Sequence, residues 1–365
     1  MDKFTSRHYA FLILATGIVS IKTYPGILIK DGGRESWIGI IIASMLMLGF
    51  YMYIVGICKK YNCYSFCKIY ERALGEKLSK VFIGLFMITL FITLVESASA
   101  EANSMHTNML LDTPEWYLLL FFIVPIIYTI RKDIVAVITI TMIGIVLIML
   151  AGINLSILTA RYKSFERLFP IFSYGLHKGF FISIIKMLGL YGCISITLPY
   201  LAKIGDTKKI TKHTVIGLLI VAQMQIVAIA GVIMTFGVDY VKPMPYPKLI
   251  QTQQVSYMRF LEFGELYVML QIVGGWILKY VISFYAILLL SKEFNLKRKH
   301  LIYMTYIISV LVYIAAYFIS NNLFVLFSFF NIYSYICFIN FVIIPFIVFT
   351  VFAVKMSKEK FEANV

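Results

Sequence analysis

Ala15-Thr16-Gly17-Ile18-Val19-Ser20-Ile21-Lys22-Thr23-Tyr24-Pro25 lies inside the first long apolar segment of the chain, yet it is poorly made for a continuous helix. Glycine tolerates backbone angles that other residues avoid, and proline removes one N–H donor. A second stretch is built in the same way: Leu188-Gly189-Leu190-Tyr191-Gly192-Cys193-Ile194-Ser195, with Pro199 beyond it. Gly17-Ile18-Val19-Ser20 matches Gly192-Cys193-Ile194-Ser195, and a proline follows the glycine after eight residues in one and seven in the other. Both segments are therefore expected to be helices broken near mid-length.

Around these two stretches the chain is almost wholly apolar. Of its 365 residues 61% are hydrophobic and 14% charged, with a mean hydropathy of +0.87. A soluble domain is nearer half apolar and a quarter charged. Hydropathy predicts ten spans, near 8–29, 37–58, 80–106, 116–130, 134–158, 179–202, 213–238, 262–290, 301–320 and 331–354. The third is interrupted by polar residues and the fourth is short. These lengths suit helices of roughly 20 residues rather than the ~10-residue strands of a barrel. The longest gaps, 59–79, 159–178 and 239–261, leave no room for a soluble domain.

The two broken segments are the first and sixth spans, so each opens a set of five. Five is odd, and the halves would enter the membrane in opposite directions. The expected architecture is one all-α transmembrane domain over 1–365, of the LeuT-like kind. It comprises a first five-helix repeat (1–158), a second, inverted one (179–354) and a cytoplasmic tail (355–365). Transporters of this organisation bind substrate at the breaks, near the bilayer midplane. The competing reading is that Gly and Ser merely allow close helix packing.

Charge sets the orientation. With the N-terminus inside, 21 of the 33 Lys and Arg fall in cytoplasmic segments and nine outside. Short basic loops stay in the cytoplasm, so both termini are expected there. The loop 159–178 is the exception, with Arg161, Lys163, Arg167 and Lys178 outside. The net charge of +15 reads as this signal plus attraction to anionic lipid, not as a nucleic-acid surface. The first apolar segment has no small-residue cleavage site and should remain as the first helix. Cys58, Cys63 and Cys67 fall in a cytoplasmic loop and match no zinc spacing, and the five histidines are far apart. No metal or cofactor is expected. No nucleotide-binding or hydrolase motif is present, and no catalytic residue is assigned.

An ionisable residue at mid-membrane costs roughly 2.5–3.5 kcal/mol even on a lenient insertion scale. Lys22, Glu96, Lys186 and Lys279 lie near the middle of spans 1, 3, 6 and 8, and Glu101 lies slightly nearer the outer face. Glu96 is expected to pair with at least one of the three lysines. The alternative is that such pairs only glue helices together. Glu96-Ser97-Ala98-Ser99-Ala100-Glu101-Ala102-Asn103-Ser104 is too polar and too small-sided to face lipid and should line the cavity at the breaks. The candidate ligand residues are Thr16, Gly17 and Ser20 of span 1, Ser97 of span 3, Gly189, Tyr191 and Gly192 of span 6, and Tyr280 and Ser283 of span 8. Phe324, Phe327, Phe329, Phe330, Tyr333 and Tyr335 read as belt and packing residues without a chemical role.

Four further stretches carry a resemblance. They are Gly33-Arg34-Glu35-Ser36-Trp37 after span 1, Leu74-Gly75-Glu76-Lys77-Leu78 before span 3, and Leu198-Pro199-Tyr200-Leu201-Ala202-Lys203 ending span 6. The fourth is Pro245-Tyr246-Pro247 followed by Glu262-Phe263-Gly264-Glu265 and Gly274-Gly275, with Arg259 one turn upstream of the acids. In order and spacing they resemble the spore-germination permeases, the B subunits of Ger-type nutrient receptors, within the amino acid/polyamine/organocation superfamily. The resemblance implies a transporter-like subunit that binds a small nutrient, an amino acid or similar. It would act with a larger membrane subunit and a lipoprotein in the inner membrane of a spore, and trigger ion release. An ion-coupled secondary transporter of amino acids shares the same fold and site. A multi-span membrane enzyme would need clustered His, Asp or Cys at one membrane face, which the sequence lacks.

Overall fold

Glycine and proline punctuate the chain where the helices end. In the computed structural model, which describes residues 4–173, 175–254, 263–293 and 298–362, every described element is helical apart from one isolated bridge between Thr5 and Asp206. The first apolar segment is three short pieces: α1 (Ser6–Gly17), α2 (Val19–Thr23) and α3 (Gly26–Gly32). After a tight turn at Gly33, whose φ of 60° favours glycine, α4 runs over Ser36–Lys60. The amphipathic α5 (Phe66–Leu74) follows and ends at Gly75, whose φ is 80° and whose N–H bonds Glu71 O at 2.8 Å. The same glycine starts α6 (Glu76–Asn108), and α7 (Glu115–Ile130) and α8 (Ile134–Leu158) complete the first half.

The second half opens with α9 (Lys178–Gly192), which tightens into a 3-10 helix over Cys193–Lys203 that contains Pro199. Then come α10 (Ile210–Phe236), the short α11 (Val238–Val241) and α12 (Pro247–Gln253), α13 (Phe263–Glu293) and α14 (Arg298–Ser320). The last apolar helix is α15 (Leu323–Cys337), a π segment (Phe338–Ile343) and α16 (Ile344–Glu362). Asn322 caps α15 by accepting the N–H groups of Phe324 and Val325.

Eight helices among the described residues are long and apolar enough to cross a membrane. Two of the ten expected spans are not among them, for physical reasons. The first is interrupted at Ile18 and again at Tyr24-Pro25. The fourth is only 16 residues long. The third differs from expectation in the other direction. Its polar stretch does not interrupt it, and α6 is one helix of 33 residues. Hydroxyls in that stretch bond back to carbonyls one turn earlier: Thr93 to Thr89 O at 2.8 Å, Ser97 to Thr93 O at 2.8 Å and Ser99 to Val95 O at 2.7 Å. A hydroxyl satisfied this way leaves the helical ladder intact.

The helices α1, α6, α9 and α13 carry the buried interior. α13 packs on α6 and α8, and α1 packs on α10 and on the 3-10 part of the sixth segment. α4 lies between α9 and α10, while α7 and α14 lean on α6 from outside. Their outer faces present isolated apolar side chains such as Phe121, Ile143 and Phe318, as lipid contact requires. The start of α1 is tied to the chain after the sixth segment by backbone contact between Phe4 O and Gly205 N–H (2.8 Å) and by Ser6 against His213 Nδ1 (2.9 Å).

Candidate functional site

The break in the first segment exposes backbone groups that something else must satisfy. Gln225 of α10 does so: its Nε2 donates to the carbonyls of Gly17 (2.5 Å) and Ile18 (3.3 Å). Beyond the break, α2 ends where Tyr24 adopts a non-helical φ/ψ of −125°/56° ahead of Pro25. That geometry turns Ser20 and Tyr24 toward α6.

What they meet is Glu96. Its Oε1 accepts from Tyr24 OH at 2.6 Å and from Ser20 Oγ at 3.0 Å. Its Oε2 accepts from Lys279 Nζ of α13 at 2.8 Å and, more weakly, from Ser97 Oγ at 3.4 Å. Lys279 Nζ also donates to Ser20 Oγ at 2.6 Å and to Tyr333 OH at 3.4 Å. Tyr333 OH passes its own proton to Thr93 Oγ1 at 3.0 Å and touches Cys193 Sγ at 3.3 Å. Glu96 and Lys279 are both fully buried. Trp276 and Tyr333 present their rings to the ammonium at 5.4 and 5.3 Å, and Phe330 and Trp276 stack on Tyr24.

The satisfaction is close to complete. An ammonium has three donors, and Lys279 directs them at three oxygens. A carboxylate has about four acceptor positions; Tyr24, Ser20 and Lys279 fill three, and Ser97 stands at the fourth, sharing the proton it gives to Thr93 O. Burying each charge costs several kcal/mol, and only pairing with this many hydrogen bonds offsets it. The network draws on the first, third, sixth, eighth and tenth apolar segments at one point. Chemically it is a carboxylate and an ammonium held side by side, able to exchange partners with another carboxylate and ammonium.

The other predicted residues are distributed around this centre. Ser20, Ser97, Glu96 and Lys279 are brought together. Thr16 is buried beside the break but bonds back to Leu12 O at 2.9 Å, and Ser283 bonds back to Lys279 O at 2.7 Å. Tyr191 is buried on α9. Tyr280 turns away from Glu96, with its ring edge-on to Phe122 of α7 at 5.3 Å. Of the three lysines expected near Glu96, only Lys279 reaches it. Lys186 pairs with Asp31 instead, and Lys22 has no hydrogen bond or ion pair among the described residues. Glu101 is buried with its Oε2 unpartnered. Arg259 and Glu262 lie outside the described residues, as does the side chain of Glu265.

The glycines of the two breaks sit in packed surroundings. A Cβ on Gly17 would lie 2.9 Å from Ile194 Cγ1 and 3.1 Å from Val221 Cγ1, and one on Gly192 would lie 2.7 Å from Val342 Cγ2. Gly189 is tighter, since a Cβ there would overlap the backbone carbonyl oxygen of Ser334. Here α9 and α15 touch backbone to backbone.

Tyr24, Thr93, Cys193 and Tyr333 complete the network and were not singled out in the sequence. Tyr333 corrects its reading as a belt residue: it is fully buried and bonded to Lys279. Phe330 is likewise part of the wall around Tyr24. The available signal was spacing: Phe330, Tyr333, Ser334 and Cys337 form one helical face that carries two hydroxyls and a thiol, which a lipid-facing stripe would lack.

Two of the sequence elements that suggested a family fasten loops between the helices. Arg34 donates to Phe169 O at 3.0 Å, and Glu35 accepts the N–H of Phe172 at 2.9 Å, so the Gly33–Trp37 element fastens the loop after α8. Tyr246, between its two prolines, donates to Asn103 Oδ1 at 2.8 Å. Asn103 in turn donates to Glu115 Oε1 and Ser320 O, both at 3.0 Å.

Compared with known proteins, the chain matches the spore permease family profile, described as spore germination protein, over residues 3–325. No curated protein matches it. Among solved structures it is similar to a Na+-coupled sialic acid symporter captured in a substrate-bound, outward-open state. The TM-score is 0.61 at 12% identity, over 87% of this chain and 72% of the symporter. The likeness establishes a LeuT-like fold.

Proposed function

The chain belongs to the spore germination protein family, and on that premise we propose that it is a transporter-like membrane subunit that senses a small nutrient. The nutrient, an amino acid or similar zwitterion, binds where the breaks of the first and sixth segments face α6 and α13. The single observation that carries this reading is the buried Glu96–Lys279 pair, bonded to Ser20 at the break. A zwitterion can replace each half of that pair with its own opposite charge: its ammonium on Glu96 and its carboxylate on Lys279. The exchange turns one ion pair into two, which offset the cost of taking the ligand's own charges out of water, so discrimination between ligands is left to contacts around the side chain. It also releases the tie between α6 and α13, which is the change a partner subunit can read.

The wider assignment follows from the family. The subunit sits in the spore inner membrane with both termini cytoplasmic, and its two halves, 1–158 and 179–354, form inverted repeats. It acts with a larger membrane subunit and a lipoprotein. The fold likeness to a Na+-coupled symporter favours a second reading, an ion-coupled transporter using the same site.

The test is a thermal-shift screen of the purified chain against the twenty amino acids, followed by uptake in proteoliposomes. One or a few amino acids should stabilise the protein, and Glu96→Gln and Lys279→Met should each abolish that response. Ligand-induced stabilisation without ion-driven uptake identifies a sensor, and uptake identifies a transporter. If every amino acid leaves wild-type unchanged, or the response survives in both variants, the site is not here.

A further inference from the structure

A second group of charges lies away from the Glu96 site. Lys22 points from α2 to the opposite side of the first segment, into a cavity of about 540 Å³ between α8 and α10. Lys248 of α12 lines the same cavity, and the two also border a smaller enclosed space that contains Gln271 of α13. A Cβ on Gly152 of α8 would lie 3.6 Å from Gln271 Nε2 and 3.7 Å from Lys22 Nζ, so both donors face the same bare stretch of backbone. Gln271 Nε2 is buried and has no partner among the described residues. Lys163, in the loop after α8, reaches the rim and donates to Ser156 O at 3.4 Å.

Among the described residues no Asp or Glu lines either space. Lys248 has one acceptor, Gln251 Oε1 at 2.6 Å, and is otherwise enclosed. Burial, with Lys22 and Lys163 nearby, pushes its ammonium well below the ordinary lysine value. Two lysines and an amide therefore converge without an anion, the reverse of the saturated Glu96 network. A buried charge without a partner is costly unless something binds it. The cavity wall is also open sideways. Ile153 and Ile157 line it and are 57% and 67% exposed on the outer face of α8, where lipid chains lie.

We propose that the cavity between α8 and α10 binds an oxyanion carried on an apolar tail, the phosphate of an anionic lipid, with Lys22, Lys248 and Gln271 as donors. The phosphate replaces the missing carboxylate and the acyl chain leaves between Ile153 and Ile157. Hydrogen bonds from a lysine ammonium to a phosphate oxygen are charge-assisted and among the strong ones. This site is separate from the nutrient site and does not depend on it.

The test uses the full chain in phosphatidylcholine nanodiscs, with or without phosphatidylglycerol, and with or without inorganic phosphate at constant ionic strength. Phosphatidylglycerol should raise the unfolding temperature of wild-type by several degrees. Lys248→Gln should abolish the rise while unfolding no earlier than wild-type in neutral lipid, because it removes an unpaired ammonium. Gly152→Leu, which fills the space before Lys22 and Gln271, should abolish it too. Lys178→Gln, an exposed lysine of equal charge, should keep it. An equal rise with inorganic phosphate alone would support the site and overturn the lipid as its source. No rise with either, or the same rise in Lys248→Gln as in Lys178→Gln, would overturn the proposal.

Discussion

The hydroxyl of Tyr24 sits 2.6 Å from Glu96 Oε1, so the residue that ends the break in the first segment is bonded directly to the buried acid of α6. A change in the break therefore changes the surroundings of the ion pair, and the reverse holds. The phenol donates to a fully buried carboxylate, and a bond to a charged acceptor is worth about 1.5–3 kcal/mol.

Tyr24→Phe should accordingly lower stability by about that amount while the protein still inserts. In spores its half-maximal nutrient concentration should shift, read from a dose–response curve of germination with protein level measured in the same spores. An unchanged curve together with unchanged stability would remove Tyr24 from the site.

Glu96→Gln and Lys279→Met should each cost about 3–5 kcal/mol, since each leaves the other partner buried and alone. The double variant should lose clearly less than the sum. A thermal-unfolding cycle measures this, and strictly additive losses would mean that the two groups are not coupled in the folded protein.

The glycines should rank by what surrounds them. Gly189→Ala meets the Ser334 backbone, which cannot rotate away, so it should fail to accumulate in the membrane. Gly17→Ala meets only the side chains of Ile194 and Val221, and Gly192→Ala meets Val342. These two should insert and alter nutrient sensitivity. Immunoblots of membrane fractions test the order, and equal abundance of all three variants would contradict it.

Gly75 requires glycine for its backbone alone. Its φ is 80° and a Cβ there would meet nothing within 4 Å. Gly75→Ala should therefore cost about 1–3 kcal/mol with no change in ligand response, and Gly75→Asn as much, since at a ψ of 170° the backbone lies outside the left-handed region that asparagine tolerates. Thermal unfolding of the two variants separates conformational strain from crowding.

Sidedness can be measured directly. A cysteine at the exposed Lys358 should react with a membrane-impermeant reagent only from the cytoplasmic side. Labelling only from outside would invert the proposed topology.

Much of the fold was legible in the chain. Apolar length sets how many helices can form, because lipid leaves no other way to satisfy a backbone. Gly17, Pro25, Gly192 and Pro199 mark the breaks through their own backbone chemistry. The charged residues were legible as exceptions to the apolar pattern. Which of them meet was not. Lys22, Lys186 and Lys279 look alike in the sequence, yet one faces a cavity without acids, one pairs with Asp31 and one pairs with Glu96.

The difference lies in helix rotation. A turn of a helix by a third of its circumference moves a lysine from one neighbour to another without altering hydropathy, and the rotation is decided by packing against several other helices together. Tyr333 shows the same thing from the other side. By composition it belongs to an aromatic-rich lipid-facing segment, and only the contact of α15 with α6 and α9 turns it inward to Lys279. The sequence alone therefore determined a broken-helix membrane bundle and its family likeness, since these rest on local backbone chemistry and apolar length. The tertiary structure alone decided the ion pair and the acid-free lysine cavity, since these rest on the mutual rotation of helices distant in the chain.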